Sequence, residues 1–206
     1  MPIERTSKGE QTKQRILEAA AQMFWKGSYH NVRVDKIVAE AEVNKASFYQ
    51  YFKNKEQAAL ECVNYMFCQT KEYVFDGAFE STQDPVKRLE EIFNRLYLAH
   101  KEIKDGGGNI PGCPFMNMGN ELATDSELIR QKVEYVYSEF HLYHQKIYED
   151  AVNLGLTKVK WEPEVVARQL QGVLNGSMTS AKLRNRPEDI TDALPAAKAI
   201  LGLALQ

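Results

Sequence analysis

Hydrophobic residues recur every three or four positions along nearly the whole chain, which is the period of an amphipathic α-helix. The stripes predict helices over about residues 12–26, 34–41, 45–52, 126–154 and 190–205, a long helix from about residue 56, a short one ending near residue 124, and helices that start at Pro85 and Pro163. No segment alternates apolar and polar positions as a half-buried strand would. We therefore predict an all-α fold.

Local signals divide this helical chain into two parts. Asn44 is a competent N-cap for a third helix that starts about three residues after the second, which matches helix-turn-helix geometry. Asp84 and Pro85 open a later helix, and the glycine-rich residues 105–112 predict a loop. We predict a three-helix helix-turn-helix domain over residues 1–55 and, over residues 56–206, a helical bundle that binds a ligand and dimerises.

Composition narrows the class of protein. The chain has 206 residues, of which 44% are hydrophobic and 26% charged, as in ordinary globular proteins. No stretch approaches the roughly 18 apolar residues of a membrane span, and the polar N-terminus predicts no secretory signal. Cys62, Cys68 and Cys113 leave an odd thiol without metal or redox spacing, which favours a reducing cytoplasm.

Charge is distributed unevenly along the chain. Residues 1–55 carry 10 Lys and Arg against 6 Asp and Glu, whereas the remainder is net acidic and the whole chain carries −2. The basic excess is densest between Val43 and Lys55. Such asymmetry favours a polyanion-facing end, although a merely solvated surface explains the charge alone equally well.

The segment from Val34 to Glu56 reads VDKIVAEAEVNKASFYQYFKNKE. With the upstream Ile16-Leu17-x-Ala19-Ala20-x-x-x-Phe24, it resembles the DNA-binding domain of the TetR family over about 60 residues. The resemblance implies a transcriptional regulator that binds double-stranded operator DNA. By position in that family, the DNA contacts would be made by Arg33, Asn44, Lys45, Ala46, Ser47, Tyr49, Gln50, Tyr51 and Lys55.

The residue types in this segment suit such a role. Small and polar residues at the start of the third helix can approach base edges, and the lysines and tyrosines can reach phosphates. Phe48 and Phe52, four residues apart, are predicted to pack into the three-helix core. The family usually has Gly where Glu42 and Ala46 stand, His at Gln50, and Ser or Thr at Arg33. We expect these departures to alter which operator is bound.

The same resemblance implies an effector pocket and a dimer interface in the remaining helices. Gly172, Gly176 and Ser180 recur every four residues and would allow a second helix to approach closely. The last helix presents a stripe of Ile190, Leu194, Ala197, Leu201 and Leu205. Both stripes predict a homodimer interface, with packing inside one chain as the alternative. The predicted effector-binding residues are Phe93, Tyr97, Cys113, Phe115, Met116, Phe140, Tyr143, His144 and Lys182.

Cys113 suggests one alternative kind of sensing. Residues 112–122 read Gly-Cys-Pro-Phe-Met-Asn-Met-Gly-Asn-Glu-Leu and resemble the Gly-Cys-Leu-x-x-Asn-Leu-x-x-Glu motif of a TetR branch that includes NemR-like, electrophile-responsive repressors. The resemblance implies a sensor cysteine paired with a later lysine, here Lys182. A cysteine at a helix N-terminus near a cation is expected to have a lowered pKa and to react readily.

Other function classes have weaker support. A helical-bundle enzyme is a remote alternative because no acid–base pair or nucleophile constellation is apparent. His141 and His144 lie three residues apart, but the sequence places no third metal ligand. The basic surface from Lys45 to Lys55 argues against a protein-binding adaptor. We expect a ligand-released repressor without cofactor, metal, catalytic residue or membrane partner.

Overall fold

The computed structural model describes residues 7–203, and every regular element in that range is helical, which confirms the all-α prediction. The elements are α1 Lys8–Lys26, α2 Val34–Glu40, α3 Lys45–Tyr51, α4 Lys55–Thr70, a π-helical segment Lys71–Asp76, α5 Gly77–Ser81, α6 Pro85–Asp105, α7 Pro114–Leu122, α8 Glu127–Asn153, α9 Pro163–Arg184, α10 Glu188–Thr191 and α11 Leu194–Ile200. None of the helices between residues 7 and 203 has the length and apolarity of a membrane span. The predictions for the extreme N-terminus and for Leu205 fall outside the described residues.

Short-range hydrogen bonds explain where several helices begin and end. The Asn44 side chain accepts from Ser47 N and caps α3, and the Asp84 side chain caps α6 ahead of Pro85; both caps were predicted from sequence. Ser7 and Glu10 form a reciprocal capping box at the start of α1. At the other end of the chain, Asn185 adopts a left-handed conformation (φ 50°) that ends α9.

The last predicted helix is divided in the structure. Residues 192 and 193 separate α10 from α11, and both short helices pack on α6 and α9. Ile190, Ala197 and Leu201 are completely buried within the single chain. The prediction that their stripe forms a dimer interface is wrong for these three residues, because intrachain packing already covers them.

The chain forms two compact units. The first contains the described part of Met1–Phe67 together with Asn117–Val133, and the second contains Cys68–Met116 together with the described residues from Glu134 onward. The first unit therefore extends beyond the domain boundary expected at residue 55. The difference arises because α4 is a continuous helix through that point and because part of α7 and the start of α8 return to the first unit.

The core of the first unit lies between its three N-terminal helices, which contact one another in every pair. Phe24, Ile37, Phe48 and Phe52 contribute the largest buried side chains there. Burial of four such side chains stabilises the fold by roughly 1.5–3 kcal/mol each. This packing holds α3 in place and leaves its opposite face exposed.

The second unit contains a helical irregularity that the hydrophobic pattern did not predict. Residues 71–76 form a π-helical segment between α4 and α5, and Phe75 within it is buried. π-Helical turns are rare and often occur at functional sites. Leu89, Ile92 and Phe93 of α6 lie in the core of the same unit.

Candidate DNA interface and effector site

The first turn of α3 presents small and polar side chains to solvent. Asn44 Oδ1 accepts hydrogen bonds from the backbone N–H and the hydroxyl of Ser47, at 2.8 and 3.1 Å. Among the predicted DNA-contacting residues, the exposed ones are Arg33, Asn44, Lys45, Ala46, Tyr49 and Gln50, and the half-buried ones are Ser47, Tyr51 and Lys55. The exposed set forms one solvent-facing surface beside the capped start of α3.

The two phenylalanines of this segment have a structural role. Phe48 and Phe52 are completely buried, and their ring centroids lie 5.3 Å apart. Their predicted packing in the three-helix core is confirmed. Tyr49, in contrast, is 52% exposed and its hydroxyl is available to a partner.

Lys45 forms an ion pair with Asp35 at the surface. Its Nζ lies 2.8 Å from Asp35 Oδ1, and the hydrogen bond to Asp35 raises the pKa of Lys45. Both side chains are more than half exposed. An ion pair between two side chains this exposed contributes little to stability.

The turn between α2 and α3 contains a strained residue. Glu42 has φ 52°, a left-handed conformation that a residue with a Cβ adopts at a cost. Arg15 Nη2 donates hydrogen bonds to the carbonyl oxygens of Ala41, at 2.5 Å, and Glu42, at 3.3 Å. The arginine thereby satisfies carbonyls that the turn leaves without helical partners.

The half-buried Lys55 binds the loop between α1 and α2, residues 27–33. Its Nζ donates to the carbonyl oxygens of Tyr29 and Val32, at 2.9 and 3.1 Å, and lies 4.1 Å from the centroid of the Tyr29 ring. Burial lowers the pKa of Lys55. The ammonium group that was predicted to contact phosphate is thus directed at loop carbonyls in this structure.

The end of α7 binds the same α1–α2 loop from another side. The Glu121 carboxylate accepts from Ser28 Oγ at 2.5 Å and from the backbone N–H groups of Tyr29 and His30, each at 2.9 Å. Asn117 Nδ2 donates to the carbonyl oxygen of Trp25 at 3.2 Å. Burial raises the pKa of Glu121, but these hydrogen bonds outweigh it and the net pKa is lowered.

Asn117 and Glu121 were not predicted to be functional. Both residues belong to the glycine-cysteine motif, which was the only sequence signal for them, and the motif alone does not indicate what their side chains bind. Ser126 Oγ adds a hydrogen bond to Glu56 Oε1, at 2.6 Å, on α4. Through Asn117 and Glu121, the motif thus contributes hydrogen bonds that hold the end of α1 and the α1–α2 loop.

Predicted effector residues of the second unit meet around Phe75. The Phe75 ring stacks on Phe140 with centroids 4.4 Å apart, contacts Tyr143 at 5.1 Å and meets His144 edge-on at 5.8 Å. Phe115 packs edge-to-face on Phe140 at 5.6 Å. We call these five residues the aromatic cluster; Phe75 was missed because the sequence assigns it no special spacing.

The other predicted effector residues are placed differently. Phe93 and Tyr97 lie on α6, the first buried and the second half-buried, and Met116 is half-buried at the start of α7. Lys182 is exposed on the last turn of α9. Within the described residues, no group of three His, Cys, Asp or Glu side chains is arranged to hold a metal ion.

Cys113 does not have the predicted electrostatic environment. The residue is 6% exposed, its Sγ lies 3.7 Å from the Tyr137 hydroxyl, and burial raises the pKa of the thiol. The expectation of a lowered pKa is therefore wrong. Lys182 does not reverse this effect because its side chain is exposed, so its charge is solvated.

The loop before α7 is fixed to the end of α9. Gly112 has φ 74°, a left-handed conformation that favours glycine, and a Cβ at this position would lie 3.2 Å from Lys182 Cδ. Asn185 accepts from Ile110 N and donates to Asn109 Oδ1, each at 3.0 Å. The N-terminal end of α7 thus follows a well-anchored backbone.

One face of α9 remains open in the single chain. Gly172 and Gly176 are exposed, and nothing described lies within 4 Å of a Cβ added to either residue. Leu183, farther along the helix, is 80% exposed. The Ser180 hydroxyl, predicted to belong to this stripe, donates to Asp189 Oδ2 within the chain.

Two family models match the chain. Residues 16–62 match the model described as bacterial regulatory proteins, tetR family, and residues 85–197 match the tetracyclin repressor-like C-terminal domain. The matched ranges include α3 with its exposed first turn and the aromatic residues of α7 and α8.

Similar proteins are named as transcriptional regulators. An HTH-type transcriptional regulator in the lacX 3′ region of Lactococcus lactis subsp. lactis is 27% identical over 166 residues, covering 79% of this chain and 81% of that protein. The repressor DhaR of Mycobacterium sp. (strain GP1) is 24% identical over 182 residues, 88% of each chain. Reduced E. coli NemR shares the fold, with a TM-score of 0.72 at 18% identity over 92% of this chain and 96% of that one.

Proposed function

The chain belongs to the TetR family of transcriptional regulators, and we propose that it is a cytoplasmic repressor that a small-molecule effector releases from operator DNA. The observation that carries the proposal is the exposed, capped first turn of α3, held on a completely buried Phe48 and Phe52. In this proposal residues 1–55 bind DNA, whereas the helices from residue 56 onward bind the effector and form the dimer.

DNA binding by this surface needs contacts of two kinds. Lys45 and Arg33 supply exposed positive charge for phosphates, and Ala46 and Gln50 are small or polar enough to meet base edges. Tyr49 offers an exposed hydroxyl beside them. Breaking the ion pair between Lys45 and Asp35 costs little free energy, because both side chains are already exposed to water.

A homodimer is required by this mode of binding. Two recognition helices must reach successive major grooves about 34 Å apart. The open face of α9, with Gly172 and Gly176, supports a close helix–helix contact between two copies. Leu183 at its end adds an apolar side chain that a partner copy would cover.

We propose that α7 transmits effector binding to the DNA-binding surface. Phe115 at its start belongs to the aromatic cluster, and Glu121 at its end holds the α1–α2 loop. An effector that favours a different position of Phe115 would shift the population toward states in which Glu121 releases that loop. The recognition helices would then lose their match to the operator.

Electrophile sensing through Cys113 is the alternative, and the structure gives it less support. A buried thiol with a raised pKa contains little thiolate, which is the reactive form. The names of similar proteins describe regulators, so we propose regulation and not catalysis.

The test is binding of the full chain to a labelled duplex from upstream of its own gene, measured over a range of salt concentrations beside a scrambled duplex. We expect specific binding whose affinity falls steeply with salt, because phosphate contacts release counterions. Molar mass in solution, measured in parallel, should correspond to a dimer. Absence of specific binding even at low salt would overturn the proposal.

A further inference from the structure

The second unit contains a pair of buried side chains with unused hydrogen-bonding atoms. His144 on α8 is completely buried, and among the described residues neither ring nitrogen has a hydrogen-bond partner. Gln171 on α9 is 5% exposed, and its Oε1 likewise has none. Native proteins rarely leave buried polar atoms unpaired because each costs about 1–3 kcal/mol. The three unpaired atoms of His144 and Gln171 therefore indicate that a bound molecule supplies the missing hydrogen-bond partners.

The side chains of His144 and Gln171 lie next to each other. Gln171 acts on the His144 ring as a hydrogen-bonding neighbour and raises its pKa against the larger effect of burial, although no hydrogen bond of normal length joins the two side chains. The Gln171 amide is also oriented, because its Nε2 donates to Asn175 Oδ1 at 3.0 Å. This bond uses one of the two N–H donors of the amide and leaves its oxygen for another partner.

The surroundings of the pair are aromatic. Phe75 meets His144 edge-on and stacks on Phe140, with an angle of 16° between the two ring planes. Offset stacking and edge-to-face contacts of this kind also bind flat ligand rings. An aromatic or conjugated ligand could make the same contacts with these rings.

The backbone next to the pair supplies an independent observation. Phe75 belongs to the π-helical segment, whose widened turn is seldom retained without a functional reason. Lys71 and Asp76 at the ends of this segment form an ion pair at 2.7 Å, and the Tyr143 hydroxyl donates to Asp76. The charges of Lys71 and Asp76 thus compensate each other.

The polar atoms restrict the chemistry of the ligand. Burial lowers the pKa of His144 to about 4, so its ring is neutral near pH 7, with one nitrogen donating and one accepting. Gln171 Oε1 only accepts. A carboxylate has no donor for this oxygen, whereas a hydroxyl both donates and accepts.

We propose that His144 and Gln171 form the polar end of a binding site for an uncharged aromatic molecule that carries a hydroxyl group. The hydroxyl donates to Gln171 Oε1 and accepts from the His144 ring, and the aromatic part lies against Phe75 and Phe140. This inference rests on the proposed function, because it names the chemical class of effector that the second unit binds.

The test compares matched probes on the full chain by calorimetry. Phenol and 2-naphthol are each compared with the hydrocarbon that lacks the hydroxyl, benzene or naphthalene, and with the carboxylate, benzoate or 2-naphthoate. We expect at least one hydroxyl compound to bind about tenfold more tightly than both of its analogues. A hydrocarbon or carboxylate that binds as tightly as its hydroxyl analogue in both series overturns the proposal, as does absence of binding by all six.

Two variants locate the binding. His144→Leu and Gln171→Met keep similar volumes and remove unsatisfied polar atoms, so both should fold, as thermal unfolding will verify. Each should reduce the preference for the hydroxyl compound at least about fivefold, whereas Leu142→Met, on the exposed side of α8, should not. Unchanged preferences in both variants would place the hydroxyl elsewhere and contradict the assignment.

Operator binding measured with the same probes separates this inference from the proposed function. Hydroxyl binding that depends on His144, without any effect on operator affinity, supports the site and contradicts its role as the effector site. Failure to bind an operator contradicts the proposed function. The binding site at His144 and Gln171 is then judged by the calorimetric results with the probes alone. Release of the operator by a hydroxyl compound, abolished in His144→Leu, supports both.

Discussion

Glu121 accepts a hydrogen bond from the backbone N–H of Tyr29 at 2.9 Å, although the two residues are 92 positions apart in the chain. The same carboxylate also holds Ser28 and His30. The acidic residue of the glycine-cysteine motif is therefore part of the DNA-binding unit. It stabilises the loop that leads into α2, independently of any chemistry at Cys113.

Replacement of Glu121 should loosen this loop. In Glu121→Ala three hydrogen bonds are lost and two backbone N–H groups lose their acceptor, so we expect the free energy of unfolding to fall by about 1–3 kcal/mol. Operator affinity should fall roughly tenfold, since ordering the loop then opposes binding. Thermal unfolding and duplex titration measure the two effects. Glu127→Gln, in the same unit but bonded to exposed Arg130, is the control and should change neither.

Removal of Lys45 should weaken DNA binding through phosphate contacts. We expect Lys45→Ala to lower operator affinity severalfold and to reduce the slope of log affinity against log salt by about 1. Lys101→Ala is a matched control, because Lys101 is a partly exposed lysine that is likewise paired with an aspartate, on α6. An unchanged salt slope in Lys45→Ala would mean that this lysine does not contact phosphate.

Replacement of Glu42 by glycine should stabilise the helix-turn-helix. The left-handed backbone at Glu42 strains a residue with a Cβ but not glycine, so Glu42→Gly is expected to raise the free energy of unfolding by about 0.5–1 kcal/mol. The lost contact with Arg15 is exposed and long, at 3.5 Å, and contributes little. Glu40→Gly, in the helical conformation of α2, should instead destabilise. Denaturant unfolding of both variants checks the sign.

The buried histidine predicts a pH dependence of stability. The pKa of His144 is lowered from 6.5 to about 4 in the folded chain, so between these values only the unfolded chain binds the proton. The free energy of unfolding should therefore fall as pH decreases from 6.5 to 4, by roughly 3 kcal/mol from this group. In His144→Leu this part of the slope should disappear. Identical pH profiles for the variant and the wild type would contradict the assigned environment.

Thiol labelling should distinguish the three cysteines. Cys68 is exposed, whereas Cys62 and Cys113 are buried with raised pKa values. In native protein at pH 7.5, we expect iodoacetamide to modify Cys68 first and the other two only after unfolding, as read by peptide mass. Rapid modification of native Cys113, or loss of electrophile-induced operator release in Cys113→Ser, would restore the sensing alternative.

The features that could be predicted from the sequence are those fixed by interactions between residues close together in the chain. The cap at Asn44 depends on a residue three positions away, and Pro85 with Asp84 forms a similarly short signal. The spacing of Phe48 and Phe52 sufficed to predict their burial, although Phe52 lies directly after the last residue of α3.

The features that sequence analysis missed depend on distant residues. A stripe such as Ile190, Ala197 and Leu201 has the same spacing whether it packs within one chain or between two, so pattern alone could not decide. Cys113 was assigned a lowered pKa from its helix position, but burial among residues far along the chain dominates. The proximity of His144 on α8 to Gln171 on α9 depends on the packing of two helices and has no local signal.

The anchoring of α7 at one end has a mechanical consequence. Gly112 and Asn185 fix the backbone just before the helix, whereas its other end is held through Glu121. A helix of 9 residues is about 13 Å long. If its first turn acts as a fulcrum, a tilt of about 10° displaces the far end by about 2 Å, more than a hydrogen bond tolerates. We therefore expect that even a small tilt of α7 is enough to break the hydrogen bonds between Glu121 and the loop before α2.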